Sequence, residues 1–478
     1  MKDLVPLGTG NSRYMKSNIA ADTTFQQFLQ MLREGTFTFD FNGLNPEGIA
    51  QQGDALNKMN LLQDDTAALY KLDNTAVPDD VLKKIPDEAS RIYFDNFSSS
   101  IAFERSTADT LQTKSSKLAA ASTQNHALFA GGRTSNTASS ISDLVTAFNT
   151  ELVRTTPTAL SKKKELLAAT SVGNYALFGG GDDGTSAYTN TVDAYNDEMV
   201  KSTATALSLA RYQLAATTVG NYALFGGGSP QSGYSDVVDA YDSELVHTVA
   251  PALSVARALL SATYTTNYAI FAGGDNNNQS DVVDAYNSEL IHTTPTRLSA
   301  AKKELAAGST GEHALFGGGR RNSSDLATVE AYDNDLVHTD ISQLSVGRRQ
   351  LAAAGLNGNV LFGGGQGSDG YSKVVDSYDK NLVHNTQTGL QTAVADLAAT
   401  SVGKYILFGG GIGSSQVATV YSYILTYHAA FTIPALSKYK FDGYNDTEQI
   451  TLVDLPWDTQ STEIGLTGYV QKGGFTLK

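Results

Sequence analysis

A short apolar phrase that ends in glycines occurs seven times along this chain, and the repetition limits the folds available to it. A representative copy is NYALFGGG at 221–228. The phenylalanines of the seven copies are spaced 45 to 49 residues apart, at Phe129, Phe178, Phe225, Phe271, Phe316, Phe362 and Phe408. A fixed period in this range is typical of solenoids, propellers and other repeat arrays. The region 101–424 is therefore interpreted as one repetitive domain.

Each repeat contains four strand-length segments and no helical periodicity. In the third copy these segments are LAATT (214–218), YALFGGG (222–228), VVDAY (237–241) and ELVHT (244–248). YALF does not alternate polar with apolar residues, so we expect it to be buried on both faces. Four antiparallel strands make one blade, and seven copies predict a mainly β chain built around a seven-bladed β-propeller.

The fourth strand is offset in the sequence relative to the ring. IAFER at 101–105 lies as far before the first LAAA as ELVHT lies before each later first strand. We expect IAFER to complete the seventh blade, which would join the two ends of the ring and remove its open edges. The alternative closing strand is LTYHA at 425–429, which would leave IAFER outside the ring.

Two smaller pieces flank the repeats. Residues 1–100 contain a capped amphipathic pattern at 23–35, a second helical stretch over 55–71 and alternating segments, which together predict a small α+β module. Residues 425–478 alternate well enough to predict a short β-rich piece.

The repeats resemble the kelch type of β-propeller. The resemblance rests on the glycines after the apolar run, on the tyrosine of VDAY, and on a basic residue ahead of the first strand, assigned to Arg211, Arg257, Lys303 and Arg348. The late-repeat tryptophan of the kelch pattern is absent, and the single tryptophan, Trp457, lies outside the repeats. The resemblance implies the fold. Kelch domains mostly bind proteins or glycans and some are oxidases, so fold alone does not decide function.

The N-terminal residues resemble a segment of virion structural proteins from tailed phages and prophages of Gram-positive bacteria. The carriers are DLVPLGTGNSRYMKS at 3–17 and GTFTFDFNGLNPEGIAQQGDALNKMNLL at 35–62, with the helix between them. The resemblance implies that residues 1–75 dock onto other virion proteins, in many copies within a symmetric assembly. Tail, baseplate, collar and capsid all remain open as the position in the particle.

Composition excludes several classes of function. The 478 residues carry a formal net charge of −15, so we expect no nucleic acid as a partner. No run approaches the ~18 apolar residues of a membrane span, and the first residues lack the apolar region of a signal peptide. We therefore expect no membrane insertion and synthesis in the host cytoplasm. Localisation in the virion is what the resemblance of residues 1–75 implies. The absence of cysteine excludes thiol nucleophiles and thiolate metal sites.

The repeated polar residues favour structural roles, and the sequence predicts a non-enzymatic protein with no catalytic residue, metal or cofactor. His247, His292, His338 and His384 hold one position in successive repeats, so a ring keeps them apart. The carboxylate of each VDAY segment, such as Asp193, also recurs in register, and a channel ring that binds cations is the alternative. No sialidase box is present, which makes a glycan hydrolase the least favoured reading.

The loops after the glycines differ from copy to copy, and in a propeller they all lie on one face. The candidate ligand-binding residues on this face are Tyr188, Tyr234, Asn277, Arg320, Arg321 and Tyr371. Aromatic rings among small polar groups suit the recognition of carbohydrate or protein. The sequence thus predicts attachment to a host-surface glycan or protein. The alternatives are a purely architectural virion element, and loops that are only solvated turns.

Overall fold

The computed structural model describes residues 103–426, apart from 138 and 186–187, together with the backbone of several strands on either side. Contacts divide the chain into two compact units. One unit is Phe103–Ile424, and the other combines Met1–Ala102 with Leu425–Lys478. Within the described residues, no helix is long and apolar enough to cross a membrane.

Seven antiparallel four-stranded blades form the first unit, as the sequence predicts. The first blade consists of Ala119–Ser122, His126–Ala130, Val145–Asn149 and Arg154–Thr155. The second consists of Ala168–Val172, Tyr175–Gly179, Val192–Tyr195 and Lys201–Ala204. The third consists of Ala215–Val219, Tyr222–Gly226, Val238–Asp242 and His247–Ala250. The fourth consists of Ser261–Tyr264, Ala269–Ala272, Val283–Tyr286 and His292–Thr293.

The remaining blades follow the same plan, and two of them carry a small hairpin in the loop after the glycines. The fifth blade consists of Ala306–Ser309, Ala314–Gly317, Val329–Tyr332 and His338–Ile341, with the hairpin Arg320–Arg321 and Ser324–Asp325. The sixth consists of Ala352–Leu356, Asn359–Gly363, Val375–Tyr378 and His384–Gln387, with the hairpin Gln366–Gly367 and Gly370–Tyr371.

The seventh blade takes strands from both ends of the repeat region. It consists of Ala398–Val402, Tyr405–Gly409, Val420–Ile433 and Asp95–Thr107. Asp95–Thr107, which includes the IAFER segment, pairs with Val420–Ile433, the third strand of this blade. Its extension continues the contact, since the amide of Leu111 donates to the carbonyl of Ala418 over 2.8 Å. A strand from ahead of the first repeat therefore completes the last blade.

Two rings of backbone hydrogen bonds run through all seven blades. In the first ring, the residue two positions before each inner strand donates its amide to the carbonyl of the equivalent residue in the preceding blade, over 2.8 to 3.2 Å. Its members are Lys117, Leu166, Gln213, Leu259, Glu304, Gln350 and Asp396. In the second ring, the last glycine of each phrase donates to the next blade, and Gly411 closes the ring on Ser115 over 2.7 Å. Both rings close from blade seven to blade one.

The glycines of the repeated phrase allow neighbouring blades to approach each other closely. A Cβ added at Gly226 would lie 2.8 Å from the ring of Phe271 in the next blade. Gly227 has φ +69°, and a Cβ there would lie 2.6 Å from the carbonyl oxygen of Arg257. The Gly226 position is alanine in two copies, as Ala130 and Ala272, so that contact is adjustable. The Gly227 position is glycine in all seven copies and has positive φ in each, because a side chain there would meet the backbone of the next blade.

Buried aromatic side chains fill the space between the blades. Phe225 and Tyr241 meet edge to face with ring centroids 5.9 Å apart, and both side chains are inaccessible to solvent. The hydroxyl of Tyr241 donates to the carbonyl of Thr205 over 2.8 Å, which satisfies the polar end of the buried ring. Burial raises the pKa of Tyr241, as expected for a phenol in this setting.

The predicted fourth strand ELVHT is wrong in its first half, because Asp242 and the residues after it form a turn. Oδ1 of Asp242 accepts hydrogen bonds from the amides of Glu244 and Val246, and Leu245 adopts φ 62°. These amides bond to the side chain of Asp242 and not to a neighbouring strand, so the fourth strand begins only at His247. The apolar residues Leu245 and Val246 favoured a strand in the sequence analysis, although they belong to this turn.

The described part of the second unit is a backbone sheet and a separate hairpin. The sheet runs in the order Lys16–Ser17, Phe39–Asp40, Gly474–Leu477, Thr462–Gln471 and the end of Val420–Ile433. The hairpin pairs Lys440–Asp442 with Gln449–Thr451. The helices predicted at 23–35 and 55–71 lie outside the described residues, so the α+β character of the N-terminal module remains a prediction.

Candidate functional site

Five blades contain a buried ion pair between a basic residue before the inner strand and the carboxylate of the third strand. The pairs are Lys164–Asp193, Arg211–Asp239, Arg257–Asp284, Lys302–Glu330 and Arg348–Asp376, with N–O distances of 2.7 to 3.0 Å. In the fifth blade the sequence pointed to Lys303, which is wrong. Lys302 is the buried partner, whereas Lys303 pairs with Asp275 at the surface of the loop face.

Each buried carboxylate also receives a backbone amide and, in four blades, an imidazole. Asp284 accepts a hydrogen bond from the amide of Ser254 at 2.9 Å, and Nε2 of His292 lies 2.7 Å from its Oδ1. Burial acts to raise the pKa of Asp284, but Arg257, the Ser254 amide and His292 outweigh it and hold the pKa below its ordinary value. The carboxylate is therefore ionised and fully engaged within its own blade.

The four repeated histidines hold these carboxylates and are distributed over blades three to six. Nε2 of His247, His292, His338 and His384 lies 2.7 to 2.9 Å from a carboxylate oxygen. Among the described residues, Glu330, His338 and Asp340 form a group that could hold a metal ion. The ammonium of Lys302, 3.0 Å from Glu330, would face such an ion, so this group fits the structural role that the sequence predicts.

The first and seventh blades replace every member of this network together. Where blade four has Ser254, Arg257 and Asp284, blade one has Gln112, Ser115 and Thr146. Blade seven has Gln391, Val394 and Tyr421 in the same three places. Both blades lack the ion pair and keep a neutral counterpart of the serine amide bond, because the backbone amide of Gln112 donates to Oγ1 of Thr146 and that of Thr392 donates to the hydroxyl of Tyr421. The residues of this network are therefore present together in five blades and replaced together in two, which indicates that they act as one packing unit.

The ring of backbone hydrogen bonds before the inner strands defines the axial mouth of the propeller. Its seven side chains project from residues of positive φ, between 52° and 57°. They are Lys117, Leu166, Gln213, Leu259, Glu304, Gln350 and Asp396. The ring uses only backbone atoms, so its side chains take no part in its hydrogen bonds, and each of them is half-buried. Sequence reasoning missed this position, although its signal is visible, since the residue directly before an invariant leucine varies among five residue types over the seven repeats.

A cavity of about 190 Å³ opens at this axial mouth, on the face of the loops that follow the glycines. Among its lining residues are Lys117, Arg133, Asn136, Gln350, Gln366, Tyr371, Asp396 and Gln416. Tyr371 pairs with Gln366 at the base of the small hairpin of blade six, and 40% of its surface is exposed. The cavity therefore combines one accessible aromatic ring, four side-chain amides and three charged groups.

Most of the charged side chains around the mouth are paired with one another. The guanidinium of Arg133 forks onto the buried carboxylate of Glu165, with Nε 2.6 Å from Oε2. Arg349 binds Asp325 at 2.6 Å and Gln366 at 2.9 Å. These pairs fix the rim of the cavity in one geometry and leave few free charges for a ligand.

Only one of the six predicted ligand-binding residues lines the cavity, and it is Tyr371. Tyr188 stacks on Tyr212 with ring centroids 4.4 Å apart. Nε of Arg320 donates to the carbonyl of Asn322 within its own hairpin. Tyr234 is half-buried, and Asn277 and Arg321 are exposed in their loops. The structure places these residues on the loop face, but not in one site.

A second concavity of about 350 Å³ lies at the junction of blades two and three, on the face opposite the loops that follow the glycines. It is lined by Gly173, Asn174, Tyr175, Asn196, Glu198, Ser243 and Glu244. Its charged groups, Glu198 and Glu244, are both exposed acids at turns. The axial cavity is the better candidate because it brings residues from several blades to one point and holds a predicted aromatic side chain.

Comparisons with known proteins bear on the fold and leave the function open. No protein-family model matches the chain. No curated protein matches it either. Among solved structures it is similar to one titled "Structure of YjhT", with 11% identity and a TM-score of 0.48. The similarity covers 59% of this chain and 99% of that chain. A similarity at this level carries no inference about this chain.

Proposed function

We propose that this chain is a non-enzymatic phage virion protein whose propeller binds a glycan of the host cell surface at the axial mouth. The observation that carries the proposal is the cavity in which the accessible ring of Tyr371 stands beside Gln350, Gln366 and Asn136. A flat apolar ring with several side-chain amides suits the alternating C–H and hydroxyl surfaces of a sugar.

The state of the histidines and tyrosines supports a binding role over a catalytic one. His247, for example, is held 2.7 Å from the buried Asp239 and packs against Tyr241 with ring centroids 5.1 Å apart. A general base must reach a substrate proton, whereas the His247 side chain is only 16% accessible and lies outside the axial cavity. The axial cavity itself is lined by neither histidine nor serine–histidine pairs among the described residues.

The resemblances noted in the sequence supply the biological setting of the proposal. The kelch-type assignment is supported by the glycine phrase, by the buried tyrosines, and by the basic residue before the inner strand. The virion assignment depends on residues 1–75, which would dock the chain onto other particle proteins in many copies. Weak single-site binding would then be multiplied by the number of copies on the particle.

A purely architectural role is the second candidate, and one observation favours it. The turn before each fourth strand exposes a β-branched aliphatic side chain in six successive blades, with 46% to 61% of its surface accessible. These residues are Val153, Val200, Val246, Ile291, Val337 and Val383. Repeated exposed apolar side chains on one rim would suit contact with neighbouring virion proteins.

The test uses the full chain, intact Gram-positive cells and purified cell walls. We expect saturable binding that Tyr371→Ala weakens by about tenfold, which corresponds to the loss of about 1.4 kcal/mol. Tyr234→Ala is the matched control, since Tyr234 belongs to an equivalent loop but lies outside the cavity. Absence of binding, with the chain still incorporated into particles, would favour the architectural role. Release of free sugar during the assay would contradict a non-enzymatic function.

A further inference from the structure

Lys117 and Asp396 are adjacent members of the axial ring, at the junction of blades one and seven. The amide of Lys117 donates to the carbonyl of Asp396 over 2.8 Å, and the two residues have φ 55° and 53°. This backbone geometry fixes the origin of both side chains beside the cavity they line. The two opposite charges are therefore held close to each other by the scaffold and not by mutual attraction.

Neither charge has a direct partner. Within the described part of the chain, Nζ of Lys117 and the carboxylate of Asp396 form no hydrogen bond and no ion pair. The neighbouring Arg133 and Arg349, in contrast, are each bound to a carboxylate. Lys117 acts on Asp396 only through the longer-range field. A cation and an anion thus face one cavity, and both lack partners there.

The surroundings of Asp396 favour a positively charged partner. The pKa of Asp396 is raised to about 6, mainly by burial and also by Glu304 and Glu165, against the opposing effect of Lys117 and Arg349. A carboxylate in this position is costly to ionise without a counter-charge nearby. An ammonium group on a ligand would offset that cost directly.

The size and the remaining walls of the cavity indicate a single sugar residue. The volume is about 190 Å³, which is the space of roughly six water molecules at about 30 Å³ each. This space limits the ligand group to about the size of one sugar ring. Gln350 and Gln366 offer both donors and acceptors for hydroxyl groups. The amide of Gln416 donates to Asn136 over 2.8 Å, which fixes that part of the wall.

We propose that the axial cavity binds a zwitterionic sugar residue, with its ammonium on Asp396 and its anionic group on Lys117. The inference rests on the proposed glycan-binding function and names the chemistry of the residue recognised. It also explains why a mouth with paired rim charges leaves one acid and one base free. Neutral sugars would leave both charges unpaired, and singly charged sugars would satisfy only one of them.

The test measures binding of four matched probes to the full chain by calorimetry at pH 7. The probes are glucosamine 6-phosphate, glucose 6-phosphate, glucosamine and glucose. We expect glucosamine 6-phosphate to bind at least tenfold more tightly than any other probe. Asp396→Asn should weaken the two amine-bearing probes and spare glucose 6-phosphate. Lys117→Gln should weaken the two phosphates and spare glucosamine. A merely structural role for either residue would weaken all charged probes alike.

Acidification provides a second measurement. Binding of glucosamine should weaken as the pH falls from 7 to 5, because protonation of Asp396 removes the counter-charge of the ammonium, while Asp396→Asn should abolish this dependence. Equal affinity for all four probes, or no binding of any, would overturn the proposal. If that occurs while the chain still binds cells and Tyr371→Ala still weakens that binding, the glycan-binding function stands with a different ligand chemistry. If the probes show no selectivity and Tyr371→Ala also leaves cell binding unchanged, both the zwitterionic ligand and the glycan-binding function are contradicted.

Discussion

Nη1 of Arg257 lies 2.7 Å from Oδ2 of Asp284, and neither side chain exposes any surface to solvent. The same relationship recurs in four other blades, always between the segment before the inner strand and the third strand. It joins the inner and middle strands of one blade through charges that water cannot reach. Removing one partner of such a pair costs much free energy of folding, because the other charge is left buried without a counter-charge.

Removing one partner of this pair should destabilise the propeller far more than removing both. Asp284→Leu leaves a buried guanidinium without its counter-charge, and we expect a loss of about 3–5 kcal/mol in the free energy of unfolding. The double variant Arg257→Met with Asp284→Leu should recover most of that loss. Denaturant unfolding of the wild type, both single variants and the double variant measures this. Additive losses in the double variant would contradict the account.

The five buried carboxylates should make stability fall at acid pH. Their pKa values are lowered in the folded chain, because the basic partners, serine amides and, in four blades, histidines outweigh the effect of burial. The stability they contribute is complete above their ordinary pKa of about 4 and is lost as the pH falls through the lower folded values. Melting temperatures between pH 7 and 2.5 should show this loss. In the Arg257→Met, Asp284→Leu double variant the loss should be shallower.

Asp396 should show the opposite pH dependence. Its pKa is raised to about 6, so the folded chain binds this proton more tightly than the unfolded chain does. The corresponding stability is present below about pH 4 and is lost as the pH rises through 6. Asp396→Asn should therefore match the wild type at pH 4 and melt at a higher temperature at pH 7.5. Asp335→Asn, at an exposed turn, controls for the loss of a charge, and an equal gain there would contradict the prediction.

The seam between blades seven and one should be sensitive to a single methyl group. Gly410 has φ +69°, and a Cβ there would lie 2.5 Å from the carbonyl oxygen of Ser115. Gly233 has nearly the same φ, +76°, but no atom within 4 Å of its Cβ position. We expect Gly233→Ala to cost about 1–2 kcal/mol for the backbone alone, and Gly410→Ala to cost clearly more. Thermal unfolding of the two variants separates collision from backbone strain, and equal losses would rule out the collision.

The sequence predicted the blades because their pattern depends on local packing that every copy repeats. YALF lacks alternation, and Leu224 and Phe225 are indeed inaccessible on both faces of their strand. The pattern misled where a side chain competes with the backbone, as at Asp242, whose oxygen turns the chain before His247. It also misled in the fifth blade, where two lysines stand side by side. Counting back three positions from the invariant leucine, here Leu305, would have selected Lys302.

The candidate site was less accessible to sequence reasoning, because it is assembled from residues far apart in the chain. Tyr371 was found because an aromatic residue in a polar loop is conspicuous. Lys117 and Asp396 were not found, since nothing local marks a charged residue before an inner strand as a neighbour of another 279 positions away. Only the circular order of the blades brings them together, and the repeat alignment shows that order without showing which residues matter.

The axial ring of peptide hydrogen bonds has an evolutionary consequence. Because its amides and carbonyls form the bonds, the side chain at each of the seven positions can change without removing any of these hydrogen bonds. Present-day occupants already include a cation, two anions, two amides and two aliphatic groups. Substitutions at this set could therefore alter selectivity one step at a time, each intermediate keeping the ring of backbone hydrogen bonds. A combinatorial library restricted to these codons would sample new specificities on an unchanged framework.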